Sequence, residues 1–390
     1  MRKNWEVKKL GDLVSIKTGK LDSNAMVEGG AYPFFTCSRE IFSIDKYAFD
    51  CEAILLAGNN ASGDFNVKHY SGRFNAYQRT YVITINNENE ILYSYLKHHL
   101  INHLKQFKEQ SVGANTKFLK LGMIQNVHIP LPNLSEQHHV VSILDEAFAA
   151  IAKAIANAEK NLKNAKEFYE RYLQGVFENK DESWVNTTIG ETCNLQTGGT
   201  PSTSKKEYYQ GGTIKWLVSG DINQKVINDC EGRITELGLN SSNTKYLPVN
   251  SVLIALNGQG KTRGTVAMLK TKATCNQSLV SIFPKDEKSL LPELLFSNLE
   301  GRYEEIRKIT GDSGNDRRGL NMPLIRSIKF SYPKKLSEQE EIIKKLDALS
   351  TETKKLEAIY QQKLNDLEEI KKAILQKAFS GELTSQLVLA

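Results

Sequence analysis

"LSEQHHVVSILDEAFAAIAKAIANAEKNLKNAKEFYERYLQGVF", residues 134–177, decides the fold, because "LSEQEEIIKKLDALSTETKKLEAIYQQKLNDLEEIKKAILQKAF" fills residues 336–379. Both stretches open on the same tag and close on L-Q-x-x-F, 202 residues apart at each end. In the first, Val140, Leu144, Ala147, Ile151, Ala154, Ala158, Ala165, Tyr169, Tyr172 and Val176 step mostly by three and four residues. In the second, Ile342, Leu346, Leu349, Leu356, Leu367, Ile370, Ile374 and Ala378 keep the same beat. Apolar steps of this kind sustained over many turns form a coiled-coil seam. Ser135 and Ser337 stand where N-caps are expected. Neither stretch holds a helix breaker until Gly175, so each reads as a rod of roughly 65 Å at about 1.5 Å per residue. A lone rod would expose its stripe. Equal lengths within one chain favour an antiparallel coiled coil of the two copies over a helix that merely dimerises the protein.

The repeat extends outward from these helices. Trp5/Trp184, Gly11/Gly190 and Gly19/Gly198 recur at a separation of 179. "AILLA" (53–57) falls opposite "VLIAL" (252–256), and Gln78 opposite Gln277, at 199, so the second copy has gained about 20 residues. Each copy has an α+β pattern. In the first, "AILLA", "YVITI" and "VHIPL" read as strands and 91–109 as a helix; in the second, "SVLIAL", "LVSIF" and "SIKFSY" read as strands, with a helix near 291–309. The expected organisation is a globular domain at 1–133, a long helix at 134–182, a second globular domain at 183–335, and a second long helix with a tail at 336–390.

Over 390 residues, 40% are hydrophobic and 25% charged, which is ordinary for a water-soluble chain with sizeable cores. The net charge of +6 is unevenly spread: the four blocks carry +4, −3, +7 and −2 in chain order. Basic globular blocks suit a polyanionic partner, although a small excess also suits a solvated surface. No apolar run approaches the roughly 18 residues of a membrane span, and "MRKNWEVKKLG" has no apolar leader core. A cytoplasmic protein without membrane contact is expected. The five scattered cysteines contain no C-x-x-C, which points to reduced structural thiols and against zinc. His98, His99 and His103 lie on one expected helix without a metal-binding pattern and read as a solvated face.

"NGQGKTRG" (257–264) holds Gly-Lys-Thr after an apolar run. A phosphate-cradling loop also requires glycine at 255, where this chain has alanine, and a helix after it. The following "RGTVAMLKTKATCNQSLVSIF" instead reads as two strands. No dinucleotide or methyl-donor loop follows a strand, there is no Asn-Pro-Pro-aromatic tetrapeptide, and "DEK" (286–288) lies in an expected loop. No catalytic residue and no metal site are expected.

The order of a globular domain, an LSEQ-headed helix, a second such domain and a second such helix resembles the specificity subunit of type I restriction–modification systems. "LQTGGTPS" (195–202), "IKWLVSGDI" (214–222), "GKTRG" (260–264) and "CNQSL" (275–279) carry the resemblance further. The first domain departs from it, with "GNNASGDFN" (58–66) and "AYQRT" (76–80) at the corresponding places. The resemblance implies a non-catalytic chain whose two target recognition domains each read half of a bipartite site in double-stranded DNA. The helices would fix the spacing and dock methylation subunits, which bind S-adenosylmethionine. A restriction subunit using ATP and Mg would join them, with no cofactor in this chain. Two similar domains on one spacer suit the pseudo-twofold symmetry of duplex DNA.

Arginine can take guanine bidentately, glutamine can take adenine, and lysine most often meets phosphate. On these grounds Gln259, Lys261, Thr262 and Arg263 are candidate DNA contacts at a hairpin turn, followed by Asn315, Arg317 and Arg318. Asn276, Gln277, Lys215, Ser219 and Asp221 follow the family-like motifs. In the first domain the candidates are Asn59, Asn60, Arg73, Asn75, Tyr77, Gln78, Arg79, Asn115 and Lys117. The rival reading is a structural coiled-coil scaffold with protein-binding heads.

Overall fold

The computed structural model describes residues 5–178, 182–258, 262–309 and 319–383. Two compact units are present: unit 1 comprises 1–160 and 361–390, and unit 2 comprises 161–360. Each contains an α+β globular part together with portions of both long helices, Leu134–Glu178 and Leu336–Ser380.

Unit 1 is built on a six-stranded sheet in the order Val14–Thr18, Thr80–Ile85, Phe49–Ala57, Val67–Ala76, Tyr32–Phe35, Phe42–Ile44. Unit 2 has a five-stranded sheet in the order Cys193–Thr197, Leu279–Pro284, Val252–Ala255, Val266–Leu269, Val226–Ile227. Its Ile214–Leu217 strand joins a separate three-stranded sheet. In both units a first strand pairs antiparallel with the strand that enters the long helix: Glu6–Lys9 with His128–Leu131, and Val185–Thr188 with Lys329–Tyr332.

The pairing register corrects the repeat by one residue. Ile54 and Leu56 face Ile83 and Tyr81, whereas Val252 and Ile254 face Ile282 and Val280. With Ile83 equivalent to Ile282, the strand 49–57 maps onto 252–255 at a separation of 198. The 199 suggested by "AILLA" and "VLIAL" would turn every side chain to the opposite face. Ile54 and Leu56 share the core under the helices of unit 1, as Val252 and Ile254 do in unit 2.

The long helices pair antiparallel. In unit 1, Val140, Val141 and Leu144 from the start of the first helix share a core with Leu375, Ala378 and Phe379 from the end of the second. In unit 2, Leu173 and Phe177 share a core with Leu346, against which Ile342 and Ile343 also pack. The buried stripe drifts from the expected one. Tyr172, Leu356 and Ile370 are exposed, while Leu173 and Thr353 are buried. The first helix starts at Leu134 rather than after Ser135, and Asn133 Oδ1 accepts the Glu136 amide at 2.9 Å as the capping bond.

The LSEQ tag acquires a physical role. Gln137 and Gln339 are both fully buried. Gln137 Nε2 donates to the carbonyls of Glu90 (2.8 Å) and Pro132 (2.9 Å), and its Oε1 accepts from Leu92 N (3.0 Å). Gln339 Nε2 donates to Ser289 O and Pro333 O, both at 2.8 Å, and its Oε1 accepts from Leu291 N (2.9 Å). One amide thus ties the helix start to the strand exit and to the entry of the short helices, satisfying backbone groups that would otherwise be buried unpaired.

The expected helices at 91–109 and 291–309 are each two consecutive helices. They run Tyr93–Asn102 and Leu104–Gln110, and Pro292–Gly301 and Tyr303–Lys308. The histidines are not a solvated face. His98 and His99 are each 2% exposed. His98 Nε2 lies 2.8 Å from Asp145 Oδ1 on the first long helix, and its ring meets Phe148. His99 packs edge-on against Phe379 of the second long helix and stacks on His103. Burial lowers the pKa of all three rings, that of His99 most clearly. Among the described residues no group of three or more His, Cys, Asp or Glu could hold a metal ion. No described helix is long and apolar enough to cross a membrane.

Candidate nucleic-acid interface

Several connecting loops converge in each unit through matching backbone bonds. Gly58 N donates to Arg79 O (2.8 Å) and Leu119 N to Gly58 O (2.9 Å) in unit 1; Leu256 N donates to Ser278 O (2.9 Å) and Leu320 N to Leu256 O (3.0 Å) in unit 2. The loop after the first sheet strand joins the same cluster. A Cβ on Gly19 would overlap the carbonyl oxygen of Ala76, and one on Gly198 would overlap that of Cys275. Only glycine permits this approach, which explains why both copies hold it.

The unit 1 candidates divide between projecting side chains and loop-holding ones. Gln78, Arg79 and Asn115 are exposed. Gln78 Nε2 reaches Asp22 Oδ1 at 2.5 Å, and the Arg79 guanidinium lies over the Phe118 ring, 5.7 Å from its centroid. Asn59 and Lys117 sit on the short paired strands Asn59–Asn60 and Lys117–Phe118. Asn60 turns its Oδ1 back onto Ser62 and the amide of Asp64. Tyr77 is half-buried, with its amide donating to Phe35 O. Arg73 pairs with Asp50 (3.0 Å) and covers the Tyr47 ring. Asn75 departs from the expectation of an outward contact: it is buried, with Nδ2 on Lys46 O (2.9 Å) and Oδ1 on the Ala76 amide.

In unit 2, Gln277 is exposed and its Oε1 accepts from Thr200 Oγ1 at 2.5 Å. Asn276 Oδ1 caps the Ser278 amide, and Asp221 Oδ2 caps that of Val218. Ser219 opens the short 3-10 helix Ser219–Gln224 and is half-buried. Lys215 Nζ donates to Asn228 O (2.9 Å) and Thr271 Oγ1 (2.8 Å) and lies 3.4 Å from Asp229. The strands on either side of "GKTRG", Val252–Ala255 and Val266–Leu269, pair antiparallel. Thr262 is half-buried there, but Arg263 is only 9% exposed, against the expectation of a side chain at the tip. Gln259, Lys261, Asn315, Arg317 and Arg318 lie outside the described residues.

Exposed amide and guanidinium groups stand on loops fixed by backbone bonds, and the thiols of Cys193, Cys230 and Cys275 are buried, with pKa values raised by desolvation. Such exposed groups present hydrogen-bond donors and acceptors to solvent.

Comparison with known proteins agrees with the repeat. The family model described as "Type I restriction modification DNA specificity domain" matches residues 2–161 and 181–369. Over 171 residues the chain is 39% identical to the type I restriction enzyme EcoDI specificity subunit of Escherichia coli, covering 44% of this chain and 37% of that protein. It therefore spans well under two thirds of that relative. The MjaVIII specificity subunit of Methanocaldococcus jannaschii is 23% identical over 97% of this chain and 93% of its own length. The fold matches a chain from a structure of complex assembly and conformational transition of the type I R-M system, with a TM-score of 0.78 and 18% identity over 97% of this chain and 98% of that one. With the family model covering both copies, the chain belongs to the type I restriction modification DNA specificity domain family.

Proposed function

We propose that this chain is the DNA sequence-specificity subunit of a type I restriction–modification complex, and that each globular domain reads one half of a bipartite site. The domains are taken as 1–133 and 183–335, with 134–182 and 336–390 as the spacer helices. The observation that carries the reading is the duplicated loop cluster: the backbone joints match, while the exposed side chains around Gln78 and Gln277 differ. Similar scaffolds with different exposed groups would read unrelated half-sites at a separation set by the helices.

In this reading the chain performs no catalysis. Methylation subunits dock on it and bring S-adenosylmethionine, and a restriction subunit brings ATP and Mg; the assembly works in the cytoplasm. The antiparallel pairing of the long helices supports the spacer role, because packed helices resist bending more than single ones.

The rival is a scaffold whose heads bind proteins. DNA binding by the full chain, co-expressed with its methylation subunits, separates the two. Phosphate neutralisation releases counterions, so affinity should fall by orders of magnitude between about 50 and 200 mM salt. Weak binding that is indifferent to salt would support the scaffold.

A further inference from the structure

The parallel pairing in each unit reveals a loop equivalence hidden in the sequence. Phe34 and Phe35 pair with Asn75 and Ala76; Trp216 and Leu217 pair with Thr274 and Cys275. Residues 36–40 of unit 1 therefore occupy the place of 218–222 in unit 2, which holds Ser219 and Asp221. Insertions on both sides of this loop conceal the match. Arg39 stands at the position of Asp221.

The unit 1 loop is braced from below by polar groups. Asn66, only 7% exposed, donates from Nδ2 to Cys37 O at 2.8 Å. Lys68 Nζ donates to Ser38 O and to Asn66 Oδ1. Thr36 Oγ1 accepts the Ser38 amide at 3.1 Å. Burial of Lys68 lowers its pKa, a cost the brace accepts. Above this base the Arg39 side chain is 71% exposed, with Nη2 2.8 Å from Asp64 Oδ2. The backbone of Asp64 is held in turn, since its amide donates to Asn60 Oδ1 at 3.0 Å. An exposed ion pair contributes little to stability, so stability does not explain a rigid loop ending in an oriented guanidinium. Preorganisation for a partner does.

We propose that Arg39 is a specificity-determining residue of unit 1 that reads a guanine through its planar fork, with Asp64 as its positioning residue. The inference rests on the DNA-recognition reading above. Carboxylate contact at one Nη leaves the remaining donors of the fork for guanine O6 and N7.

The test is competition binding by the full chain with its methylation subunits, using duplexes that differ at single base pairs of the bipartite site. Arg39→Ala should reduce discrimination at one G·C pair by about tenfold or more, in one half-site only. Arg39→Lys keeps the charge and loses the fork, so it should show the same loss while retaining affinity for non-specific duplex. Asp64→Asn should give a smaller loss at the same pair. Arg39 is exposed, so thermal melting of its variants should match the unsubstituted chain. If Arg39→Ala weakens all sequences equally, or none, while the unsubstituted chain still prefers its bipartite site, this inference falls and the proposed function stands. If the unsubstituted chain shows no sequence preference, both fall.

Discussion

Gln137 in unit 1 and Gln339 in unit 2 make the same three hydrogen bonds to equivalent backbone groups. Gln78 and Gln277, also equivalent, reach different partners: an Asp22 carboxylate in one unit and a Thr200 hydroxyl in the other. The first pair is buried and serves the backbone, so geometry allows it one solution. The second pair is exposed, and its surroundings can vary without disturbing the fold. A third contrast lies beneath the long helices, where His98 and His99 of unit 1 stand opposite Ser297 and Asn298 of unit 2. The helix clasp tolerates either polarity, but only one version titrates.

The largest effect should come from the helix clasps themselves. Phe379 packs against Tyr95 and His99 in unit 1, and Phe177 against Trp184 in unit 2. Each Phe→Ala substitution should destabilise its own unit by about 3–5 kcal/mol. Hydrogen exchange resolved by peptide should show the loss in one unit only; equal loss in both would break the description of two units.

Gln137→Ala and Gln339→Ala should cost about 1–3 kcal/mol each, because buried backbone groups lose their partners. Chemical denaturation should give similar values for the two. A negligible cost in either would show that the tag is not the joint described here.

Acid should then separate the units. His98 and His99 are held neutral by burial, with folded pKa values below the ordinary 6.5. The unfolded chain therefore binds more protons below that value, and the stability these rings contribute is present above pH 6.5 and lost as pH falls. Exchange protection of 93–110 should drop between pH 7.5 and 5.5, while that of 292–309 should hold. Equal acid sensitivity in both segments would contradict the assignment.

The smallest effect concerns the loops. Gln78→Ala and Gln277→Ala remove one exposed hydrogen bond each, and each should lower discrimination at its own half-site by about 1 kcal/mol. Duplex competition assays read this directly, and a loss at both half-sites from one substitution would oppose separate reading.

The legible parts of the fold are those where one face is buried and the other wet. The long helices show their three-and-four spacing because solvent lies opposite the seam. Residues 53–57 are buried on both faces, so no alternation marks their register and a one-residue slip passes unnoticed. The histidines misled for a related reason. Isolated on their helix they look solvated, and only the two long helices packed beside them exclude water. At the site, the sequence separates polar residues from apolar ones but not outward amides from inward ones. Asn75 and Gln78 look alike until Lys46 O and the Ala76 amide are seen around the former. Arg39 escaped because its loop aligns with 218–222 only through strand pairing.

The most direct measurement is a genome-wide map of N6-methyladenine in the host with and without this gene, made where the methylation subunits are expressed. The account predicts the loss of one motif composed of two short, unrelated blocks around a fixed gap. A map unchanged by deletion, or the loss of an uninterrupted motif, would contradict it.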